Sequence, residues 1–234
     1  MPMEVRVTDQ AAFILRRRDW QNSSLLLDLF TRDYGCLRVL ARGARRNPAR
    51  VPFQPFALLT LGFSGRQDLK TLTGIDGVPL PVDERNYLVL MYVNELIGAL
   101  LPEQEPDPDT FDNYLALLKT ARVPLAEDSL RRFEQELMRG QGYFPDIGED
   151  AESGEPVRAD NQYQFVIGNG FVACPRSARD SVNGQTIIDW ERGDYRSEAV
   201  LRLAKTVLRS TIDFNLHGKA LKSRQVLKEI LAKK

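Results

Sequence analysis

The feature that most constrains this chain is a change of hydrophobic period near Pro79 and Pro81. Before it, apolar residues alternate with polar ones or form short runs broken by polar turns, which is the pattern of strands. After Asp83 they recur every three or four positions, at Tyr87, Leu88, Met91, Tyr92, Leu96 and Ile97, which is the spacing of a helix face. A single switch of this kind predicts a β domain followed by a helical one.

The first part divides into five strands, over residues 11–18, 24–30, 35–42, 56–63 and 68–73. Five short strands with polar or Gly-rich turns predict a small closed barrel, and both an OB-type and an SH3-like barrel fit the count. The second part predicts an apolar helix from Asp83 and a second helix over 110–121. A third helix covers 130–139, capped by Asp128 or Ser129 and stopped by Gly140 and Gly142. A hairpin turns at Gly168-Asn169-Gly170. A helix follows over 197–214, and a last one is capped by Ser223. The expected domains are 1–80, a barrel, and 81–234, a helical domain with a hairpin insertion at about 143–185.

Charge is segregated along the chain although its formal sum is zero. Residues 1–80 hold 12 Lys and Arg against 7 Asp and Glu, residues 81–160 hold 7 against 18, and residues 161–234 hold 13 against 7. The basic character of the first block peaks between Tyr34 and Arg50, with Arg38, Arg42, Arg45, Arg46 and Arg50, and no carboxylate occurs between Asp33 and Asp68. Alternation puts Cys36, Arg38, Leu40 and Arg42 on one face of a strand and Leu37, Val39 and Ala41 on the other. Gly43 and Pro48 then open an arginine-rich loop. Guanidinium is a planar fork that fits phosphate, so this stretch, with Arg66 and Lys70 further on, predicts contact with a nucleic-acid backbone. Among the nearby aromatics, Phe30, Phe56 and Phe63 fall within strands and are expected in the core. Trp20, Tyr34 and Phe53 fall at turns and are expected outside, where bases could stack on them.

Other chemistries find little support. Gly218-Lys219 is followed by Ala220 and is no phosphate-binding loop. His217 is the sole histidine and no nucleophile motif surrounds it, so hydrolase chemistry is not expected. The acidic run Glu103, Glu105, Asp107, Asp109 and Asp112, interleaved with prolines, reads as a stiff solvated linker, as do Asp146, Glu149, Asp150 and Glu152. Cys36 and Cys174 form neither a disulfide framework nor a zinc pattern, which points to a reducing cytoplasm. The N-terminal segment has no apolar core of a signal peptide, and no apolar stretch approaches a membrane span. Three functions remain open on the residues alone: a nucleic-acid binder, an adaptor whose barrel binds protein, and a metal-dependent nuclease or ligase using the acidic loop.

Several motifs in order resemble one family. They are Asp19-Trp20-Gln21-Asn22-Ser23-Ser24-Leu25, Asp28-Leu29-Phe30-Thr31, Gly35, Ala41-Arg42-Gly43-Ala44-Arg45 and Gln54-Pro55-Phe56. Further on come Lys70-Thr71-Leu72, Tyr92-Val93-Asn94-Glu95-Leu96, Leu130-Arg131-Arg132-Phe133-Glu134, Ser153-Gly154-Glu155-Pro156 and Lys222-Ser223-Arg224. The set is similar to the bacterial RecO family of DNA repair proteins. The resemblance implies an α+β, two-domain chain: an N-terminal OB-fold β-barrel, then a mostly α-helical domain with a small inserted β-hairpin in a degenerate zinc-ribbon-like region. It implies a recombination mediator rather than an enzyme, cytoplasmic and nucleoid-associated. Such a protein binds single- and double-stranded DNA, anneals strands and, with RecR, helps load RecA on DNA coated by single-stranded-DNA-binding protein (SSB). The resemblance further implies that Arg131, and secondarily Arg132, take the acidic C-terminal tail of SSB, unless they pair with Glu127, Glu134 or Glu136. Many relatives hold zinc with four cysteines near the hairpin. Here only Cys174 remains, so no zinc and no other cofactor is expected, with Tyr163, Phe165 and Phe171 holding the hairpin instead. Asn22 stands where relatives often have Glu, and Arg42 where many have Lys.

Overall fold

A computed structural model describes residues 5–46, 53–66 and 68–232. Five strands come first: β1 (Val5–Trp20), β2 (Ser24–Thr31), β3 (Gly35–Ala41), β4 (Ala57–Gly65) and β5 (Leu69–Pro79). They close into a barrel in the order β1-β2-β3-β5-β4, antiparallel throughout except for the parallel β3–β5 pair. That topology is the OB-type solution rather than the SH3-like one. The interior is filled from every strand: Ala12 and Ile14, Leu25, Leu27 and Leu29, Leu37, Val39 and Ala41, Leu59, Leu61 and Phe63. The alternation expected for β3 holds, with Leu37, Val39 and Ala41 inside and Arg38 outside.

Strand β1 is twice the expected length. Its first half pairs with β4 and its second with β2, and register shifts between Val7 and Gln10 and between Ile14 and Arg16 bend it around the barrel. Strand β5 likewise runs on to Pro79. Gly77 permits this, since a β-carbon there would stand 2.5 Å from a Leu59 methyl. Phe53, expected outside, is buried in the barrel core, because the chain re-enters the barrel mouth before β4. Phe30 is buried as expected, but on the outer wall, where it and Phe13 pack against Phe111.

The chain forms two compact units, Met1–Leu125 with Ala220–Lys234, and Ala126–Lys219. The first unit adds α1 (Tyr87–Leu100), α2 (Pro108–Thr120) and α6 (Lys222–Ala232) to the barrel. Asn94 of α1 is buried; its amide reaches the Ile14 and Leu15 carbonyls, and its oxygen accepts from the Tyr114 hydroxyl of α2. Burial raises the Tyr114 phenol well above its ordinary range, so this donor stays protonated. Ser223 lies inside α6 rather than at its cap, and its backbone N–H and hydroxyl both donate to Glu95. The acidic segment 101–107 is not a free linker: Gln104 N–H donates to Cys36 carbonyl at 2.8 Å, and Gly35 lies against the Glu105 backbone.

The second unit comprises α3 (Glu127–Gly140), strands β6 (Gln162–Val166), β7 (Gly170–Cys174) and β8 (Val182–Asn183), α4 (Gly184–Glu191) and α5 (Glu198–Asn215). Helix α3 begins earlier than expected, at Glu127, and Ala126 precedes it without a side-chain cap. Its core centres on Trp190, whose indole N–H donates to Gln135 at 2.9 Å beside the Tyr195 hydroxyl. Asp150, expected in a solvated linker, is buried and accepts backbone N–H groups from Glu152, Ser153 and Ala173. It ties the turn at 150–154 to β7. Tyr163 and Phe171 are buried beside it, and Phe165 meets Phe171 edge to face.

Candidate nucleic-acid interface

Within the first unit, residues directly opposite in antiparallel strands project to the same face. The register therefore lays out rows on the outer wall of β1, β2 and β3. Arg16 pairs with Asp28, which pairs with Arg38; Arg18 pairs with Leu26, which pairs with Leu40; Trp20 pairs with Ser24. Arg42 follows Ala41, the partner of Leu25, and continues the last row beside Ser24. Three strands thus bring Arg16, Arg18, Arg38 and Arg42 to one face with a single carboxylate, Asp28.

That carboxylate accepts from Arg18 at 3.2 Å and from Arg38 Nε at 3.0 Å, and Glu103 lies 3.8 Å from the Arg38 guanidinium. At the end of the barrel, the Arg45 backbone N–H donates to the Ser23 carbonyl at 2.9 Å and its side chain meets Asp19 at 3.3 Å. The turn between β1 and β2 and the 3-10 turn Ala44–Arg46 are therefore one structural corner. Arg16, Arg42 and Arg46 are exposed and make no ion pair with a described residue. The pairs at Arg38 and Arg45 are half open to solvent. Exposed pairs contribute about 0–1 kcal/mol, so a phosphate can exchange for the carboxylate.

The expected set is brought together only in part. Arg38, Arg42, Arg45 and Arg46 converge on this face and corner. Arg66 is exposed but precedes β5, whose parallel pairing of Leu69 with Arg38 places it toward the Gly35 end of β3, away from Arg42. Lys70 is 7% exposed, with its stem against Gly65, because the β3–β5 pairing turns it inward with Val39. Arg50 lies outside the described residues. Arg16 and Arg18 were missed, although their alternation within β1 is the signal that could have found them. Their neighbour Arg17 faces the other way and donates to the Phe53 carbonyl at 2.7 Å, closing the barrel mouth. Cys36 offers no nucleophile, since burial, with help from Glu103, Asp107 and Asp28, pushes its thiol up to about 12.

Within the second unit Arg131 and Arg132 have different surroundings. Arg131 is buried and meets the fully buried Glu134 at 2.7 Å, with Glu127 at 3.9 Å, so it is spent on the fold. Arg132 is half exposed; it donates to the Gly193 carbonyl at 2.6 Å and lies over the Tyr195 ring at 4.5 Å. Gly193 has φ +71°, and a β-carbon there would stand 3.0 Å from Arg132. Arg132 borders an open cavity of about 500 Å³ with Asp128, Arg192, Tyr195 and Arg196. Asp194 at its rim is held by Arg196, whose hydrogen bonds lower its carboxyl to about 2. Arg192, missed in the sequence, gives this cavity a surplus of guanidinium over carboxylate. Among the described residues no group of three His, Cys, Asp or Glu is placed to hold a metal ion, and no helix is long and apolar enough to cross a membrane.

Comparison with known proteins matches residues 3–79 to the family model "Recombination protein O N terminal" and residues 82–225 to "Recombination protein O C terminal". A DNA repair protein RecO from Laribacter hongkongensis is 39% identical over 238 residues, covering 97% of this chain and 96% of the relative. The proteins of the same name from Vibrio parahaemolyticus and Actinobacillus pleuropneumoniae serotype 7 are 36% and 35% identical, each over more than nine-tenths of both chains.

Proposed function

Since the chain belongs to the RecO family of DNA repair and recombination proteins, we propose that it is a non-enzymatic, cytoplasmic mediator that binds single- and double-stranded DNA and pairs complementary strands. The observation that carries this reading is the register that sets Arg16, Arg18, Arg38 and Arg42 on one barrel face beside the Arg45–Arg46 corner. Guanidiniums on a rigid sheet neutralise phosphates of two strands, release their counterions and lower the repulsion that opposes annealing.

Arg132, with Arg192, offers the second unit's cationic cavity to the acidic tail of SSB, with Tyr195 as an apolar wall. Tethering to SSB-coated DNA raises the local concentration of strands to be paired, and RecR and RecA act on the complex that results. The test is annealing of labelled complementary oligonucleotides, with and without SSB, together with binding at several salt concentrations. Charge reversal of Arg45 and Arg46 to Glu is expected to abolish annealing and flatten the salt dependence of binding. Unchanged binding at moderate salt would overturn the assignment.

A further inference from the structure

The chain has two tryptophans with opposite fates. Trp190 is 1% exposed, whereas Trp20 at the end of β1 is 41% exposed and makes no ring–ring contact among the described residues. Trp20 pairs with Ser24, a small neighbour that does not cover it, and Arg42 continues that row. Gln21, the next residue, turns the chain with φ +50°, and its carbonyl lies 3.5 Å from the Arg45 guanidinium. The indole is thus mounted on the corner that carries Arg42, Arg45 and Arg46, and on the face that carries Arg16, Arg18 and Arg38.

We infer that Trp20 is a base-stacking platform that gives this face its preference for unpaired strands. The inference rests on the DNA-binding reading of the barrel and names what that reading lacks. Arginines that meet phosphates do not distinguish a duplex from a single strand, because both present the same backbone charge. An exposed ring adds binding only where a base has a free face. In a duplex both faces of an internal base are covered by its neighbours, and in a single strand they are not. Stacking on a protein ring strengthens binding by about tenfold per base or more.

The test uses the full chain, its W20A and W20F variants, a labelled oligodeoxythymidylate and a duplex of equal length, at one fixed salt concentration. W20A is expected to weaken oligonucleotide binding about tenfold while duplex binding stays within about twofold, and W20F to keep most of the single-strand affinity. The oligonucleotide is also expected to quench tryptophan emission in the unaltered chain and not in W20F, whose remaining tryptophan, Trp190, is buried. Equal weakening of both ligands by W20A, no weakening of either, or equal quenching with Trp20 replaced would overturn the inference. Failure of the unaltered chain to bind either ligand would instead overturn the reading of the barrel. If W20A does not fold, as judged by circular dichroism, W20F and the quenching experiment decide the matter.

Discussion

Arg38 Nε donates to Asp28 Oδ1 at 3.0 Å across the β2–β3 pair. The same carboxylate takes Arg18 from the β1 side, so one acidic group holds two guanidiniums on the face assigned to DNA. Asp28 orients both forks and, on the proposed reading of this face, would compete with phosphate for them.

Replacing Asp28 with Asn keeps the side-chain shape and removes the competing charge. DNA affinity is expected to rise several-fold at low salt, and the slope of log affinity against log salt to steepen by about one unit. The pairs are partly exposed, so the stability lost should stay near about 1 kcal/mol or below. Weaker binding in D28N, measured by oligonucleotide titration, would show that orientation outweighs competition.

Arg131 and Arg132 are adjacent on α3 and should behave oppositely. Arg131→Ala takes one member out of a buried ion pair with Glu134, a loss of roughly 3–5 kcal/mol, and thermal unfolding should show it. Arg132→Ala removes a half-exposed group, should leave the unfolding midpoint within a few degrees, and should weaken binding of an acidic tail peptide. A stable R131A that no longer binds the peptide would reverse the assignment.

Asp150 gives the second unit an acid-sensitive joint. Burial pushes its carboxyl upward, but the backbone N–H groups of Ser153, Glu152 and Ala173 outweigh burial and hold it below the ordinary carboxylate range. A depressed folded-state value means that the carboxylate's contribution is present above about pH 4 and is lost as pH falls through the lowered value. Asp150→Asn should remove that acid dependence and expose the 150–154 turn to limited proteolysis at neutral pH. Identical acid unfolding curves for the two proteins would rule this out.

The strand-to-helix switch, the barrel class and the basic run between Tyr34 and Arg50 were legible in the sequence, because burying one face imposes a local period on the residues that do it. The inward set Leu37, Val39 and Ala41 follows from alternation alone. What α1 and α6 would pack against did not follow, nor did the docking of the acidic segment 101–107 on β3, because each depends on a partner far away in the chain.

The candidate site divides along the same line. Its arginine content and its exposed Trp20 could be anticipated from residue types and turns. Its membership could not: Arg16 and Arg18 join Arg38 only through the β1–β2–β3 register, and Lys70 leaves the set only through the parallel pairing of β5. The sequence by itself determined which residues alternate and which are charged, since both are properties of neighbours along the chain. Only the tertiary structure decided which charges share a face and which are spent on carboxylates, as Arg131 is on Glu134, because strand pairing and burial join residues that local periodicity does not relate.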